Sequence, residues 1–220
     1  MADIEKTLLL FDWDDVLFNT ADFKNDFTDS LEELDISRIA VFETYEASKQ
    51  MEGGHSFENH ASLLIAAYPD QAEKIRAVFA RTMSRVPGFV YSDAKQFIIA
   101  AGLKGAALGV LSAGNEQFQK EKIERSGLYT QFNFITVVPY ANAGERKAQE
   151  IVKLAEQYEK IVFFEDSVDN LHTVESVLSE AGRVFYVYVN RDGKVHPLPP
   201  GTLQISSFDS TPLAKFCFEE

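Results

Sequence analysis

Cysteine is almost absent from this chain of 220 residues, since Cys217 stands alone. One thiol permits neither an intrachain disulfide nor a zinc site built from cysteines, and we therefore expect a cytoplasmic protein. Basic residues are also scarce, because 21 Lys and Arg face 34 Asp and Glu and the formal net charge is −13. No run of Lys or Arg interrupts this acidity, so nucleic acid is not an expected partner.

Long apolar runs are missing as well. The first apolar run, TLLLF at residues 7–11, is too short for a secretory leader or a membrane span. We therefore expect no targeting segment and no membrane partner. The chain does have the composition of an ordinary folded protein, with 45% hydrophobic and 25% charged residues. Its length allows one sizeable core, or a core with a small insert.

Short runs that are apolar on every residue recur along the chain, and such runs are typical of strands buried on both faces. They lie at residues 7–11, 106–111, 134–138, 161–164 and 184–189, and residues 203–206 are a candidate edge strand. Helical patterns at residues 115–126, 147–158 and 168–181 separate them. The alternation predicts an α/β fold with a parallel sheet.

Residues 19–87 differ from the rest, because they contain amphipathic helical stretches and no convincing strand. Gly53-Gly54 and Pro69 break these stretches. We interpret this segment as a helical insert. The pair Pro87-Gly88 is either the hinge at which the chain returns to the sheet or a plain helix stop.

Acidic residues follow two of the predicted strands. Asp12, Asp14 and Asp15 come directly after the first, and Glu165-Asp166 end the fourth. The carboxyl ends of parallel strands line the ligand crevice of an open sheet, where such carboxylates would form a magnesium site. One of two neighbouring Asp carboxylates can attack or hold a metal while the other exchanges a proton. Solvated turns and helix caps are the simpler alternatives.

Two further segments carry polar groups to helix starts. Ser112, Ala113 and Asn115 lie where the second strand meets a helix, and their hydroxyl and N–H groups suit a phosphate, although Ser112 as a helix cap is an alternative. Lys147, beside Arg146, opens the next predicted helix. A cation at that end opposes the helix dipole, so Lys147 either neutralises a negative reacting group or is a solvated surface lysine.

Together, these four segments resemble the haloacid dehalogenase superfamily of phosphohydrolases. The family pattern is D-x-D-x-[TV]-[LI], a strand ending in Ser or Thr, a Lys, and an acidic pair followed by Asp or Asn. The matching segments are FDWDDVL at 11–17, GVLSAGN at 109–115, AGERKAQEIV at 143–152 and VFFEDSVDNL at 162–171, in the family's order. Asp15 stands where the family commonly has glycine.

The resemblance covers the whole chain and implies two domains. Residues 1–18 and 88–220 would form a Rossmann-like core with helices on both faces of the sheet. Residues 19–87 would form a small all-helical cap domain. The implied activity is Mg²⁺-dependent hydrolysis of a small phosphorylated metabolite, a phosphate monoester, through an aspartyl-phosphate intermediate.

The resemblance also implies a role for each site residue. Asp12 would be the nucleophile and Asp14 the acid that protonates the leaving group and later activates water. The Asp12 and Asp166 carboxylates and the Asp14 backbone carbonyl would hold Mg²⁺. The remaining residues would grip the phosphoryl group (Ser112, Ala113, Asn115), offset charge near Asp12 (Lys147) and orient the metal shell (Asp169, Asn170).

Three alternatives remain beside a phosphatase. A dehalogenase is disfavoured by Asp14, because that branch of the family lacks this acid/base carboxylate. A phosphomutase would use the same aspartyl-phosphate and shield it from water with the cap. A catalytically idle, magnesium-binding regulatory protein is the third. Neither the particular ester nor the oligomeric state has a signal in the sequence.

Overall fold

The computed structural model describes residues 6–178 and 182–218. The strands within those ranges are β1 (Thr7–Phe11), β2 (Ala107–Ala113), β3 (Phe134–Val138), β4 (Lys160–Glu165), β5 (Val184–Val189) and β6 (Leu203–Ile205). They form one parallel sheet with the order β3-β2-β1-β4-β5-β6. This Rossmann-like α/β arrangement confirms the predicted fold class, and β6 confirms the predicted edge strand.

Nine α-helices lie within the described ranges. They are α1 (Thr20–Glu32), α2 (Arg38–Ser48), α3 (Phe57–Ala67), α4 (Ala72–Ser84), α5 (Ser92–Leu103), α6 (Glu116–Arg125), α7 (Ala143–Ala155), α8 (Val168–Leu178) and α9 (Thr211–Phe218). Among them, none has the length and apolar character needed to cross a membrane.

Both faces of the sheet are covered, as the fully apolar strands require. Every residue of β1 is buried. Leu9 and Phe11 point to one side, where they pack in a cluster with residues of α5, α6 and α9. Leu8 and Leu10 point to the other side and pack with residues of α7 and α8. Side chains that alternate along a strand thus enter two separate cores.

The first four helices have an apolar cluster of their own, which includes Phe27, Leu31, Leu64 and Phe79. The two chain connections between these helices and the sheet run side by side. The Asn19 N–H donates to the Phe89 carbonyl at 2.8 Å, and the Tyr91 N–H donates to the Leu17 carbonyl at 3.0 Å. Chain entry and exit are therefore adjacent, and Pro87 lies in a short 3₁₀ helix, Val86–Phe89, just before the exit.

Several element boundaries differ from the predictions, and two of these differences bear on the site. β2 continues through Ser112 and Ala113, because both residues pair with β3. α7 begins at Ala143 after the left-handed residue Asn142, so Lys147 lies one turn inside the helix and does not open it. The argument from an opposed helix dipole therefore does not apply to Lys147. α8 is observed to Leu178, and residues 179–181 of the predicted helix lie outside the described ranges.

Candidate active site

The carboxyl ends of β1 and β4 bring the acidic residues together. The two strands pair in register at Phe11 and Phe164, and the Asp12 N–H donates to the Phe164 carbonyl at 2.9 Å. One carboxylate oxygen each from Asp12, Glu165 and Asp166 lies within 4.8 Å of the others. Asp12 and Glu165 are buried and Asp166 is half-buried. The predicted meeting of Asp12 with Asp166 is thus present.

Lys147 reaches this cluster from α7. Its Nζ lies 2.9 Å from Asp12 Oδ2 and 2.7 Å from Glu165 Oε2, and the side chain is almost completely buried. The alternative of a solvated surface lysine is therefore excluded. Glu165, which the sequence analysis gave no separate role, also accepts a hydrogen bond from the Ser167 N–H at 3.1 Å. A glutamate directly after a run of buried apolar residues was the available signal for it.

Negative charge exceeds positive charge in this cluster. Burial, together with Glu165, Asp12 and Asp15, raises the pKa of Asp166 to about 9. Burial also raises the pKa of Asp12 to about 7, and Glu165 adds to this while Lys147 opposes it. Burial lowers the pKa of Lys147, but the charges of Asp12 and Glu165 outweigh burial and raise it overall. In the described part of the chain, no cation besides Lys147 forms an ion pair with these carboxylates.

A divalent cation would balance the excess negative charge of this cluster. Carboxylate oxygens are the hard donors that Mg²⁺ prefers, and a cation between Asp12 and Asp166 would offset the repulsion that raises their pKa values. Both oxygens of Glu165 already have partners in Lys147 and the Ser167 N–H. The two Asp carboxylates are therefore the side chains best suited to hold the ion.

Asp14 has a different environment from Asp12. Its Oδ1 accepts hydrogen bonds from Lys122 Nζ at 2.6 Å and Thr20 Oγ1 at 2.9 Å, and its Oδ2 accepts one from Gln119 Nε2 at 2.7 Å. Burial raises the pKa of Asp14, but the Lys122 charge and the three hydrogen bonds more than offset this and lower it. Asp14 is therefore a carboxylate in the free protein.

Sequence reasoning missed these three partners of Asp14. Lys122 offered a signal, because it occupies the apolar face of the helix predicted at residues 115–126, beside Phe118 and Ile123. In the structure Lys122 is buried, with its ammonium 5.2 Å from the ring centres of both Phe18 and Phe118. Thr20 and Gln119 gave no comparable signal.

Asp15 adopts the left-handed conformation, with φ of 55°. Glycine is the residue that enters this region without steric cost, and Asp tolerates it better than most other residues. The Asp15 N–H donates to the Phe18 carbonyl at 2.8 Å, and its Oδ1 accepts from the Thr20 N–H at 3.2 Å. Asp15 can thus replace the usual glycine because its side chain anchors the tight turn.

The predicted phosphate-gripping segment lies at the end of β2. Ser112 is buried, and Gln119 Nε2 donates to its Oγ at 3.3 Å and to the Ala113 carbonyl at 3.0 Å. Asn115, and not Ser112, caps α6, because its Oδ1 accepts from the Phe118 N–H at 2.9 Å. Asn115 Nδ2 donates to the Gly53 carbonyl at 2.9 Å. The Asn115 side chain is thus engaged with the protein itself.

Asp169 and Asn170 lie on the first turn of α8. Ser167 precedes that turn and caps it, because its Oγ accepts from the Asn170 N–H at 3.3 Å. Asp169 is exposed, and its carbonyl accepts from Thr173 Oγ1. In the described ranges, neither the Asp169 nor the Asn170 side chain hydrogen-bonds to Asp12 or Asp166.

A cavity of about 2150 Å³ lies over these residues. All the predicted site residues line it: Asp12, Asp14, Ser112, Ala113, Asn115, Lys147, Asp166, Asp169 and Asn170. The helical segment supplies much of the remaining wall, with residues such as Phe23, Lys24, Tyr45 and His55. The sheet edge and the helical segment therefore enclose one shared space.

Comparison with known proteins identifies the class to which this site belongs. The haloacid dehalogenase-like hydrolase family matches residues 6–197, and the chain belongs to that family. This confirms the family that the motifs indicated. No protein of curated function matches the chain.

Several solved structures share the fold. A candidate haloacid dehalogenase-like hydrolase of Burkholderia xenovorans has 17% identity and a TM-score of 0.70, covering 92% of this chain and 95% of that one. The 2-haloacid dehalogenase of Pseudomonas syringae has 18% identity and a TM-score of 0.62, covering 96% and 99%. A candidate β-phosphoglucomutase of Thermotoga maritima has 17% identity and a TM-score of 0.54, covering 94% and 95%.

Proposed function

We propose that this hydrolase is a Mg²⁺-dependent phosphatase that acts on a small phosphate monoester through an aspartyl-phosphate on Asp12. The observation that carries the proposal is the pairing of two carboxylates with different surroundings on one turn. Asp12 contacts Lys147 beside the acidic cluster, whereas Asp14 contacts Lys122, Thr20 and Gln119. Different surroundings suit different roles in one reaction.

In the first half of the reaction, an Asp12 carboxylate oxygen attacks phosphorus. The phosphorus bond to the ester oxygen breaks, and a proton delivered through Asp14 passes to that oxygen, so that a neutral alcohol leaves. Asp14 must take up this proton when substrate binds, because its three donors keep it ionised beforehand. The Ser112 hydroxyl and the Ala113 N–H would orient the phosphoryl oxygens, and Lys147 would offset their charge.

In the second half, water attacks the phosphorus of the aspartyl-phosphate. Asp14 accepts a proton from that water, the bond between phosphorus and the Asp12 oxygen breaks, and phosphate leaves with the Asp12 carboxylate restored. Mg²⁺ held by Asp12, Asp166 and the Asp14 carbonyl would supply Lewis-acid stabilisation of negative charge on the phosphoryl oxygens. Asp169 and Asn170, on the first turn of α8, would orient the groups that bind that ion.

A leaving-group argument favours a phosphatase over a dehalogenase. A halide ion leaves without a proton, so a carboxylate placed to protonate the leaving group would have no task in the first half of a dehalogenation. An alkoxide is a poor leaving group and needs the proton that Asp14 can deliver. The acidic cluster at Asp12 also favours a phosphatase. Its carboxylates are suited to hold a cation, and displacement of a halide at carbon does not require one.

We further propose that residues 19–87 form a cap domain over a core of residues 1–18 and 88–220. The separate apolar cluster of these helices supports the division, as do the adjacent chain connections at residues 17–19 and 89–91. A cap with its own core can move as a body about two neighbouring connections. Such movement would admit the substrate and then exclude bulk water from the site.

The direct test is phosphate release from p-nitrophenyl phosphate by the purified protein. We expect release with Mg²⁺, no release after removal of divalent ions with EDTA, and recovery when Mg²⁺ is restored. Asp12→Asn should abolish release while the circular dichroism spectrum stays unchanged. Asp209→Asn is the matched control, because Asp209 is exposed and outside the cavity. Wild-type rates in Asp12→Asn would disprove the proposal.

Two further measurements separate the competing reactions. Hydrolysis of a chiral phosphate ester should proceed with retention of configuration, because two in-line displacements at phosphorus restore it, whereas direct attack by water would invert it. Chloride release from 2-chloropropionate would assign a dehalogenase instead. Conversion of a sugar phosphate into its isomer without phosphate release would assign a phosphomutase.

A further inference from the structure

The cavity is larger than transfer of a phosphoryl group requires. Its volume of about 2150 Å³ exceeds the range of about 300–1,000 Å³ typical of small-molecule sites. The carboxylates of Asp12, Glu165 and Asp166 form its acidic side, whereas the helical segment contributes the cations Lys24, Arg38 and Lys49. The wall that would face a leaving group therefore carries positive charge, in a protein whose formal net charge is −13.

Most of the cations around the cavity already have a carboxylate partner. Those in ion pairs are Arg38, Lys49, Lys120, Lys122, Arg125 and Lys147. Lys24 is different, because no carboxylate of the described part of the chain lies within ion-pair distance of its ammonium group. Lys24 is also exposed, so its charge is available to a ligand.

The position of Lys24 on α1 places it one turn beyond the reaction centre. Thr20 and Lys24 lie four residues apart on the cavity-lining face of α1, a rise of about 6 Å. Thr20 Oγ1 donates to Asp14 Oδ1 at 2.9 Å. Thr20 therefore lies beside the carboxylate that would protonate the leaving group. A lysine one turn further along can reach the far part of that group.

Lys24 and a second lysine, Lys49, lie near the same aromatic ring, that of Tyr45. Its ammonium lies 5.1 Å from the centre of the Tyr45 ring, and the Lys49 ammonium lies 4.5 Å from the same ring. The His55 ring stands 4.5 Å from Tyr45, and burial, with additional effects from neighbouring charges, lowers the pKa of His55 to about 3. His55 is therefore neutral, and the Asp15 carboxylate attracts Lys24 only from beyond ion-pair distance.

We infer that Lys24 binds a second anionic group, a phosphate or a carboxylate, at the far end of the substrate's leaving group. The inference rests on the proposed phosphatase function and narrows the substrate class to phosphate esters with two anionic groups. Lys147 and the end of β2 serve the transferred phosphoryl group, so that group does not need Lys24. In so acidic a protein, local cations must decide which anion binds.

Matched pairs of esters test the inference by phosphate release. One pair is 3-phosphoglycerate and glycerol 3-phosphate, which differ by a carboxylate, and the other is fructose 1,6-bisphosphate and fructose 6-phosphate. We expect kcat/KM to be about tenfold higher or more for the doubly anionic member of at least one pair. The pair that shows this preference distinguishes carboxylate from phosphate. Lys24→Met should remove most of the preference.

Lys74→Met is the control, because Lys74 is an exposed lysine of the same helical segment that lies outside the cavity. It should leave both ratios unchanged. Equal kcat/KM values within both pairs, or a preference that survives Lys24→Met, would overturn the inference. A protein that releases no phosphate from p-nitrophenyl phosphate or any ester would instead contradict the proposed phosphatase function.

Binding to Asp12→Asn decides the inference without turnover. Isothermal titration with the same four compounds should show about tenfold tighter binding of a doubly anionic member, and Lys24→Met in the Asp12→Asn background should abolish the difference. This result would support the Lys24 site even if hydrolysis failed. Equal affinities within both pairs, or no binding of any compound, would refute it.

Discussion

The ammonium group of Lys147 lies 2.7 Å from the Glu165 carboxylate, and both side chains are almost completely shielded from water. The same ammonium lies 2.9 Å from Asp12. One buried cation therefore serves two carboxylates, and the geometry of Asp12 depends on both. Such a group has a structural role as well as the catalytic one proposed above, because an unpaired buried charge is costly.

Lys147→Met should therefore destabilise the protein by about 3–5 kcal/mol, since it leaves Asp12 and Glu165 without their buried cation. Urea unfolding measures this change. Arg146→Met is the matched control: Arg146 is the exposed neighbour, and its replacement should change the free energy of unfolding by less than about 0.5 kcal/mol. An equally large effect of Arg146→Met would show that the wrong residue has been identified.

Lys122→Met should lower kcat for p-nitrophenyl phosphate by about tenfold or more with a smaller change in KM. Its ammonium holds Asp14 in place at 2.6 Å, and proton exchange by a positioned side chain contributes about 10²–10⁴-fold to rate. Lys120→Met, on the same helix but paired only with Glu116 among the described residues, is the control and should keep the wild-type kcat. Full activity of Lys122→Met would contradict a role for this ion pair.

Asp15→Ala should be less stable than Asp15→Gly by about 1 kcal/mol. Both variants lose the hydrogen bond from the Thr20 N–H, but alanine keeps a Cβ in the left-handed conformation at φ 55° whereas glycine does not. Thermal and urea unfolding of the two variants under identical conditions give the comparison. Equal stabilities would mean that the turn relaxes to another conformation.

His60 should make the protein less stable as the pH falls below neutrality. Burial lowers the pKa of His60 from 6.5 to about 4, so the unfolded chain takes up a proton at a higher pH than the folded one. The stabilising contribution of neutral His60 is complete above about pH 6.5 and is lost as the pH falls towards 4. Between pH 7 and pH 5 the loss from this residue is about 2 kcal/mol.

Urea unfolding of the wild type and of His60→Gln at several pH values tests this effect. The free energy of unfolding of His60→Gln should fall less steeply between pH 7 and pH 5, whereas the two proteins should show parallel curves between pH 7 and pH 8. The wild type must be compared with His60→Gln because other groups, including His55, also have different pKa values in the folded and unfolded chains. Parallel curves throughout would contradict the prediction.

The sheet could be predicted because each of its strands is recognisable from the local sequence. β1, β3 and β5 have the bounds of the apolar runs at residues 7–11, 134–138 and 184–189. A strand buried on both faces needs apolar side chains at every position, and that pattern is visible without knowledge of the neighbours. The same holds for the acidic residues that end β1 and β4, since parallel strands bring their carboxyl ends to one edge.

The side chains that contact these acidic residues could not be predicted from the local sequence. Gln119 and Lys122 meet Asp14 across 105 and 108 residues of sequence, and no local pattern specifies such a pairing. The start of α7 was also misplaced, because the left-handed Asn142, and not the charge of Lys147, sets it. Tertiary structure alone decided that Lys147 would be buried between Asp12 and Glu165.

The sequence by itself thus determined the class of fold, the family and the edge of the sheet that carries the site, because these follow from periodicity and from short motifs. The packing of α6, α7 and the helical segment against that edge decided the rest. It determines which charges are neutralised, which stay ionised and which, like Lys24, face the cavity without a carboxylate partner among the described residues. Charge balance in a buried site depends on distances between remote segments, and only the folded chain sets those distances.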